Sequence, residues 1–290
     1  MKIVITGKNS HIGNKIQNWF ESHQIENKFE IEQLDVIGDG WKTYNFSGTD
    51  VIIHVAAIVH QPKLKDWSLY QKVNIDLPSE IASKAKASGV KQFVFFSTMA
   101  VYGWDKDLNT DEIDEVVVPS PKSMYGKSKY EAELALKKIE SDNFLLSIVR
   151  PPNVYGENGK LGYVDKFAKF LKYWRVIPDA YREVRQSMIY IDNLTEFIRQ
   201  IVIKGQPGTF MPQDSAPVSA ICLIDTICEA KQYRIFKSKF LGMIVKLFAG
   251  VPIVQKLYGG VAYTNNLSQI DGIEYQCVKF ENGIKESLNN

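Results

Sequence analysis

Three short runs, Lys2–Thr6 (KIVIT), residues 50–57 (DVIIHVAA) and residues 91–97 (KQFVFFS), are apolar almost throughout rather than on alternate residues. Such strands must be covered on both faces, the condition of a parallel sheet held between helices. The stretches between them supply those helices. Residues 12–23 place Ile12, Ile16, Trp19 and Phe20 on one face, and residues 128–139 form a further helix. Residues 75–88 are Ala-rich and are followed by Gly89, suited to the left-handed turn that ends a helix. With a weaker strand at 30–36 and another at 144–149, the first 150 residues read as five parallel strands in successive βαβ units.

After Arg150 the rhythm changes. Pro151, Pro152, Gly156, Gly159 and Gly162 mark a loop-rich stretch, followed by a helix near 164–173. Residues 187–191 read as a short strand, with Asp192 as N-cap of a helix over 194–203. The expected architecture is α/β: a doubly wound parallel sheet over 1–150 and a smaller, interleaved C-terminal substrate lobe over 151–290. The strand near Met188 and its helix are expected to rejoin the sheet.

A net charge of +2 in 290 residues leaves no electrostatic footprint for nucleic acid. The three cysteines, Cys222, Cys228 and Cys277, lack metal-ligand spacing, which predicts no metal site and reduced thiols in a cytoplasmic protein. The N-terminus lacks a signal-peptide pattern. Residues 240–263 are strongly apolar, but Lys246, Pro252 and Lys256 interrupt them, so no spanning helix is expected. They read as buried or substrate-lid helices, with a membrane-surface contact as the alternative.

Chemistry begins at Thr6-Gly7-Lys8-Asn9-Ser10-His11-Ile12-Gly13, between the first strand and the first helix. Gly7 permits a tight turn, Gly13 lets the helix approach the strand, and the helix N-terminus can face a pyrophosphate. Ser10 stands where the middle glycine of a dinucleotide turn is expected. Asp35 closes the second strand, where a carboxylate accepts from ribose hydroxyls and repels a 2′-phosphate, favouring NAD over NADP; a turn or cap role is the alternative. Tyr125 and Lys129 lie four apart at a helix start and so share a face. There the ammonium can lower the phenol's pKa and reach a ribose hydroxyl, making Tyr125 an acid or base for a sugar alcohol or ketone. Ser97 and Thr98 close the strand before it, and Thr98 offers a hydroxyl to the same oxygen.

The pieces TGKNSHIG, DVIIHVAAIVH, KVNIDLP, FVFFSTMAVYG, YGKSK, RPPNVYG and QSMIYIDNL run in order from residue 3 to about 200. In them the chain resembles the extended short-chain dehydrogenases/reductases of the NAD-dependent epimerase/dehydratase family, the family of UDP-glucose 4-epimerase, most of all its short members from bacterial capsule and surface-polysaccharide pathways. The resemblance implies a Rossmann-like fold and Thr98, Tyr125 and Lys129 as catalytic trio. It sets Gly7, Ser10, His11, Ile12, Gly13, Asp35, Ala56, Ala57, Asn74 and Ser97 along the dinucleotide. On the UDP-sugar side it implies Thr98, Met99, Asn153 at the diphosphate, and Tyr155 and Tyr190, for either of which packing is an equal reading. His60 could face the sugar or be an ordinary loop residue. A homodimer through the helices at 75–88 and 128–139 is also implied, although Val73, Leu77, Ile81 and Leu134 would serve equally in a core.

Several positions depart from the family. The stretch 35–50 is short, trimming the usual third strand and its helix. Gln186 replaces an arginine for the substrate phosphate, leaving Arg185 as substitute, and Gly162-Tyr163 replaces a Gly-Asn pair. Met99 and Ala100 follow Thr98 where dehydratases and decarboxylases of the family are expected to carry an acid; neither can transfer a proton, so the dehydratase reading falls sharply. A UDP-hexose or UDP-N-acetylhexosamine 4-epimerase leads, with an NAD(P)H-dependent reductase of a 4-keto-6-deoxy sugar as alternative. A non-catalytic dinucleotide sensor ranks last, because it would need no activated tyrosine.

Overall fold

The structure is a computed structural model, which describes residues 1–24, 28–59, 66–104, 108–156 and 163–289. Strand β1 (Lys2–Thr6) feeds helix α1 (His11–Ser22), and β2 (Glu30–Leu34) returns alongside β1. Among the described residues β2 pairs only with β1, and it is half solvent-exposed, which explains its weak apolar pattern. β3 (Val51–His54), by contrast, is buried along its whole length.

The helix expected from residue 75 begins earlier. α2 (Trp67–Tyr70) runs through a π-helical turn (Gln71–Asp76) into α3 (Leu77–Ala87). That wider turn carries Asn74 into the interior, where it is fully buried. Such insertions recur where a helix must present a side chain at a functional site. β4 (Gln92–Phe96) leads past the two-residue β5 (Glu112–Ile113) to α4 (Met124–Lys137), whose N-cap is Ser123. β6 (Leu145–Val149) completes the first half.

The second half holds β7 (Asn153–Tyr155), α5 (Tyr163–Tyr173), β8 (Val176–Pro178), β9 (Arg185–Gln186), β10 (Met188–Tyr190), α6 (Ile191–Lys204) and β11 (Gly208–Phe210). Then come β12 (Val218–Ser219), α7 (Ala220–Lys231), β13 (Phe236–Ser238), α8 (Lys239–Leu247), α9 (Pro252–Tyr258) and β14 (Ala262–Tyr263). Short helices at Asn265–Ser268 and Phe280–Leu288 close the chain.

The main sheet has six strands, all parallel, in the order β11-β6-β4-β3-β1-β2. Its two faces bury different cores. Ile3, Ile5 and Ile53 meet Ile16 and Phe20 of α1 and Phe197 of α6, while Val4, Ile52 and Phe93 meet Ile81 of α3 and Ala132 of α4. This is the doubly wound arrangement expected from the apolar runs.

Two expectations need correction. The strand near Met188 does not rejoin the sheet: β10 pairs in parallel with β7 as a separate two-stranded ribbon. The sheet's sixth strand is β11, three residues beginning at Gly208, too short to leave an apolar run. Only the helix that follows β10 returns, because α6 packs on α1, joined by Trp19 Nε1 donating to Glu196 at 2.8 Å. Asp192 is not its N-cap, since α6 already begins at Ile191; it lies in the first turn, 3.5 Å from Lys15 of α1.

Candidate active site

The chain leaves β1 to one side for β2 and to the other for β3, so the C-terminal ends of β1 and β3 border a topological switch point. Gly7 sits there at φ +101°, and a Cβ on it would lie 3.1 Å from the Ala56 backbone. Only glycine fits that cradle. The turn is tied to the end of β2: Gly7 N and Lys8 N donate to Leu34 O at 3.0 and 3.3 Å. Ser10 caps α1, its Oγ accepting from Gly13 N at 3.1 Å, which accounts for a serine in place of the middle glycine. Gly13 is buried against Ile5 and Val55. His11 and Ile12 open the helix half-buried, and no carboxylate opposes the dipole in its first turn. Ala56 and Ala57 follow β3, and Asp35 stands exposed beyond β2, its Oδ1 accepting from Ile37 N at 2.9 Å. A cradle without a side chain, a carboxylate-free helix N-terminus and an acid at the adjoining strand end could hold the diphosphate and ribose of a dinucleotide.

The reacting groups converge from β4 and α4. Thr98 caps the 3₁₀ turn Met99–Tyr102, accepting from Ala100 N at 3.2 Å, and its hydroxyl also hydrogen-bonds the Tyr125 phenol. Tyr125 occupies the first turn of α4, which can come this close only because Gly126 has no side chain: a Cβ there would overlap the Ala100 carbonyl oxygen. Burial pushes the Tyr125 phenol up to about 12, the Thr98 bond opposes the rise, and Tyr70 of α2 adds to it. The expectation that Lys129 lowers this phenol is therefore corrected. Lys129 is itself buried and donates from Nζ to Phe96 O at 2.7 Å, over the ring of Phe95.

Burial lowers the Lys129 ammonium to about 7, against an opposing pull from Glu133 one turn along α4. On its other side lies His54, fully buried, with Nδ1 2.7 Å from Thr6 Oγ1 and no partner for Nε2 among the described residues. Burial, then Lys129, push that imidazole down to about 3, so it stays neutral. A lysine depressed so far below 10.5 costs on the order of 5 kcal/mol of stability. The unfolded chain keeps the proton up to pH 10.5 and the folded chain loses it near 7, so this cost is full below pH 7 and fades as pH rises between the two values. Lys129→Met is accordingly expected to abolish turnover yet raise the melting temperature, more at pH 6 than at pH 9. A variant that melts below the parent at pH 6 would show that the ammonium is not under strain.

Sequence reading missed the layer beneath. Ser97 Oγ donates to the Glu133 carboxylate, which also receives Arg150 Nε at 3.0 Å and Nη2, while Arg150 Nη1 donates to the Tyr102 hydroxyl at 2.8 Å. Glu133 lies four residues past Lys129, on the same helix face, and that spacing was the available signal. Ser97 thus faces Glu133. Asn74 is likewise committed, accepting from Ile58 N and donating to Ile58 O and to Ser128 Oγ, which ties the loop after β3 to α4.

The substrate-side candidates are scattered. Met99 and Asn153 are half-buried, and Arg185 is exposed on β9. Tyr155 is fully buried with its hydroxyl on Asp214 at 2.7 Å, and Tyr190 donates to Glu286 at 2.6 Å, an arrangement that fits packing. Gln186 is buried beside Arg185. His60 and Gly162 lie outside the described residues.

A family model described as the NAD dependent epimerase/dehydratase family matches residues 3–196. The chain is 31% identical over 157 residues to an N-acetyl-alpha-D-glucosaminyl-diphospho-ditrans,octacis-undecaprenol 4-epimerase of Escherichia coli O157:H7, covering 53% of this chain and 45% of that protein. It is 27% identical over 224 residues to a UDP-glucose 4-epimerase of Vibrio cholerae, covering 73% and 67%. The match thus spans less than half of the Escherichia coli relative. In fold it resembles the Thermus thermophilus UDP-glucose 4-epimerase in complex with NAD, at TM-score 0.70 and 19% identity over 99% and 98% of the two chains.

Proposed function

Because this chain belongs to the NAD-dependent epimerase/dehydratase family, we propose that it inverts C4 of a UDP-hexose or UDP-N-acetylhexosamine through a transient 4-keto sugar. The observation that carries this reading is the Thr98–Tyr125–Lys129 cluster beside the switch point, followed by Met99 and Ala100, which cannot move a proton. A dinucleotide, held by Gly7, the α1 N-terminus and Asp35, supplies a hydride acceptor and donor when bound. Tyr125 as phenolate takes the C4 hydroxyl proton and later returns it. Thr98 holds the sugar oxygen beside the phenol. Lys129, when protonated, offers N–H donors to a ribose.

A second reading places the sugar on a polyprenyl diphosphate, as the name of the Escherichia coli relative states for that protein. The outward apolar side chains of α8, Phe240, Met243 and Leu247, favour it. The family reading also carries a homodimer through α3 and α4; Leu134 is exposed on α4, whereas Ile81 belongs to the chain's own core.

The test is proton NMR of UDP-glucose, UDP-N-acetylglucosamine and a polyprenyl-diphosphate N-acetylglucosamine incubated with the protein in D2O. The reading expects the C4 epimer of one of them, with no solvent deuterium at C4 because the abstracted hydride is the one returned. Deuterium at C4, or no epimer from any of the three, would overturn it.

A further inference from the structure

Residues 230–270 contain six Lys or Arg and no Asp or Glu. The same stretch carries strongly exposed apolar side chains: Phe240 at 67%, Met243 at 63% and Leu247 at 83% accessible. Of the buried or substrate-lid helices expected over 240–263, Val254, Tyr258, Ala262 and Tyr263 are buried, whereas Phe240, Met243 and Leu247 face outward. The inward side of α8 is its backbone at Gly242, where a Cβ would overlap the Asp179 carbonyl oxygen, so the helix is pressed flat on the chain and its large side chains point outward. α9 is anchored by Tyr258 Oη donating to Pro178 O at 2.8 Å. β13 pairs with β8, bringing exposed Phe236 beside exposed Val176, and Trp174 stacks on Phe170 at the edge. Lys237 and Lys246 reach Asp225 and Glu183, but Arg234, Lys239 and Lys256 have no ion pair among the described residues.

We propose that this face, formed by α8, the start of α9 and the β8–β13 edge, docks on the surface of an anionic lipid bilayer. No helix among the described residues is long and apolar enough to cross a membrane, so the chain lies on the bilayer. A rigid amphipathic helix with aromatic and aliphatic side chains outward, flanked by unpaired cations, matches the interface between acyl chains and negative headgroups. Tyr173 and Trp174, both exposed, take the headgroup level that such rings prefer. A second copy of this chain fits less well, because a two-fold interface would set Arg234, Lys239 and Lys256, which have no ion pair among the described residues, against their own copies. The proposal stands apart from the substrate reading, since vesicle binding is measured without turnover.

The test is flotation of the full chain with phosphatidylglycerol–phosphatidylcholine vesicles and with phosphatidylcholine vesicles. The protein should float with the former at least about tenfold more than with the latter, and less as salt rises. The double variants Phe240→Ser/Leu247→Ser and Lys239→Glu/Lys256→Glu should each reduce the bound fraction about tenfold or more without changing the melting temperature. No flotation with the anionic vesicles would overturn the proposal. So would a lipid-free dimer that Phe240→Ser/Leu247→Ser dissociates, or retention on polyglutamate that this variant keeps while floating as the parent does.

Discussion

Tyr125→Phe is expected to bind dinucleotide as the parent chain does while turnover falls between about a hundredfold and ten-thousandfold, the range a positioned acid or base contributes. Phenylalanine keeps the buried ring but has no proton to exchange and no bond to Thr98. Burial holds the phenol at about 12, so its basic form is scarce near neutrality. The Thr98 bond is what opposes the rise. Thr98→Val should therefore lift the phenol further and move the rising limb of the pH–rate profile to higher pH. Dinucleotide retention read by fluorescence, beside turnover, separates lost chemistry from lost binding. Parental turnover in the Tyr125→Phe variant would contradict the mechanism.

Glu133→Ala is expected to destabilise the fold by about 3–5 kcal/mol, because it leaves the Arg150 guanidinium buried without its counter-charge. The pair joins α4 to the end of β6, and through Ser97 to the end of β4. Loss of the pair loosens the support of Thr98, Tyr125 and Lys129 together. Replacing both partners by apolar residues, Glu133→Leu with Arg150→Met, should recover most of the stability, since neither charge is then stranded. Urea unfolding at pH 7 measures both. A single variant costing under about 1 kcal/mol would show that the pair is better solvated than its burial indicates.

The parallel sheet was legible because strands covered on both faces leave unbroken apolar runs, as at residues 50–57 and 91–97. Periodicity could not say which neighbour a short run pairs with: Met188–Tyr190 looks like a sheet strand but lies beside Asn153–Tyr155, while Gly208–Phe210 joins the sheet without an apolar signature. The helix before residue 75 was missed because its π-helical turn has no repeat of its own. At the site, spacing paired Tyr125 with Lys129, and the family resemblance added Thr98 as third of the trio. The directions of their pKa shifts needed burial, which spacing does not carry. The Glu133–Arg150 pair was hidden for a related reason, because its partners lie 17 residues apart on different elements. Within residues 240–263 the outward side chains of α8, Phe240, Met243 and Leu247, show the converse error, since apolar composition is the same on an outward face as in a core.

The most direct measurement of the central claim is to denature freshly purified protein, prepared without added cofactor, and identify the nucleotide it releases. An epimerase that returns each hydride to the sugar it came from keeps its cofactor, and near-stoichiometric NAD+ or NADH is the expected result. A nucleotide-free protein that then binds NADPH or NADH reversibly would contradict in-place recycling and make the same trio the machinery of a one-way 4-keto sugar reductase.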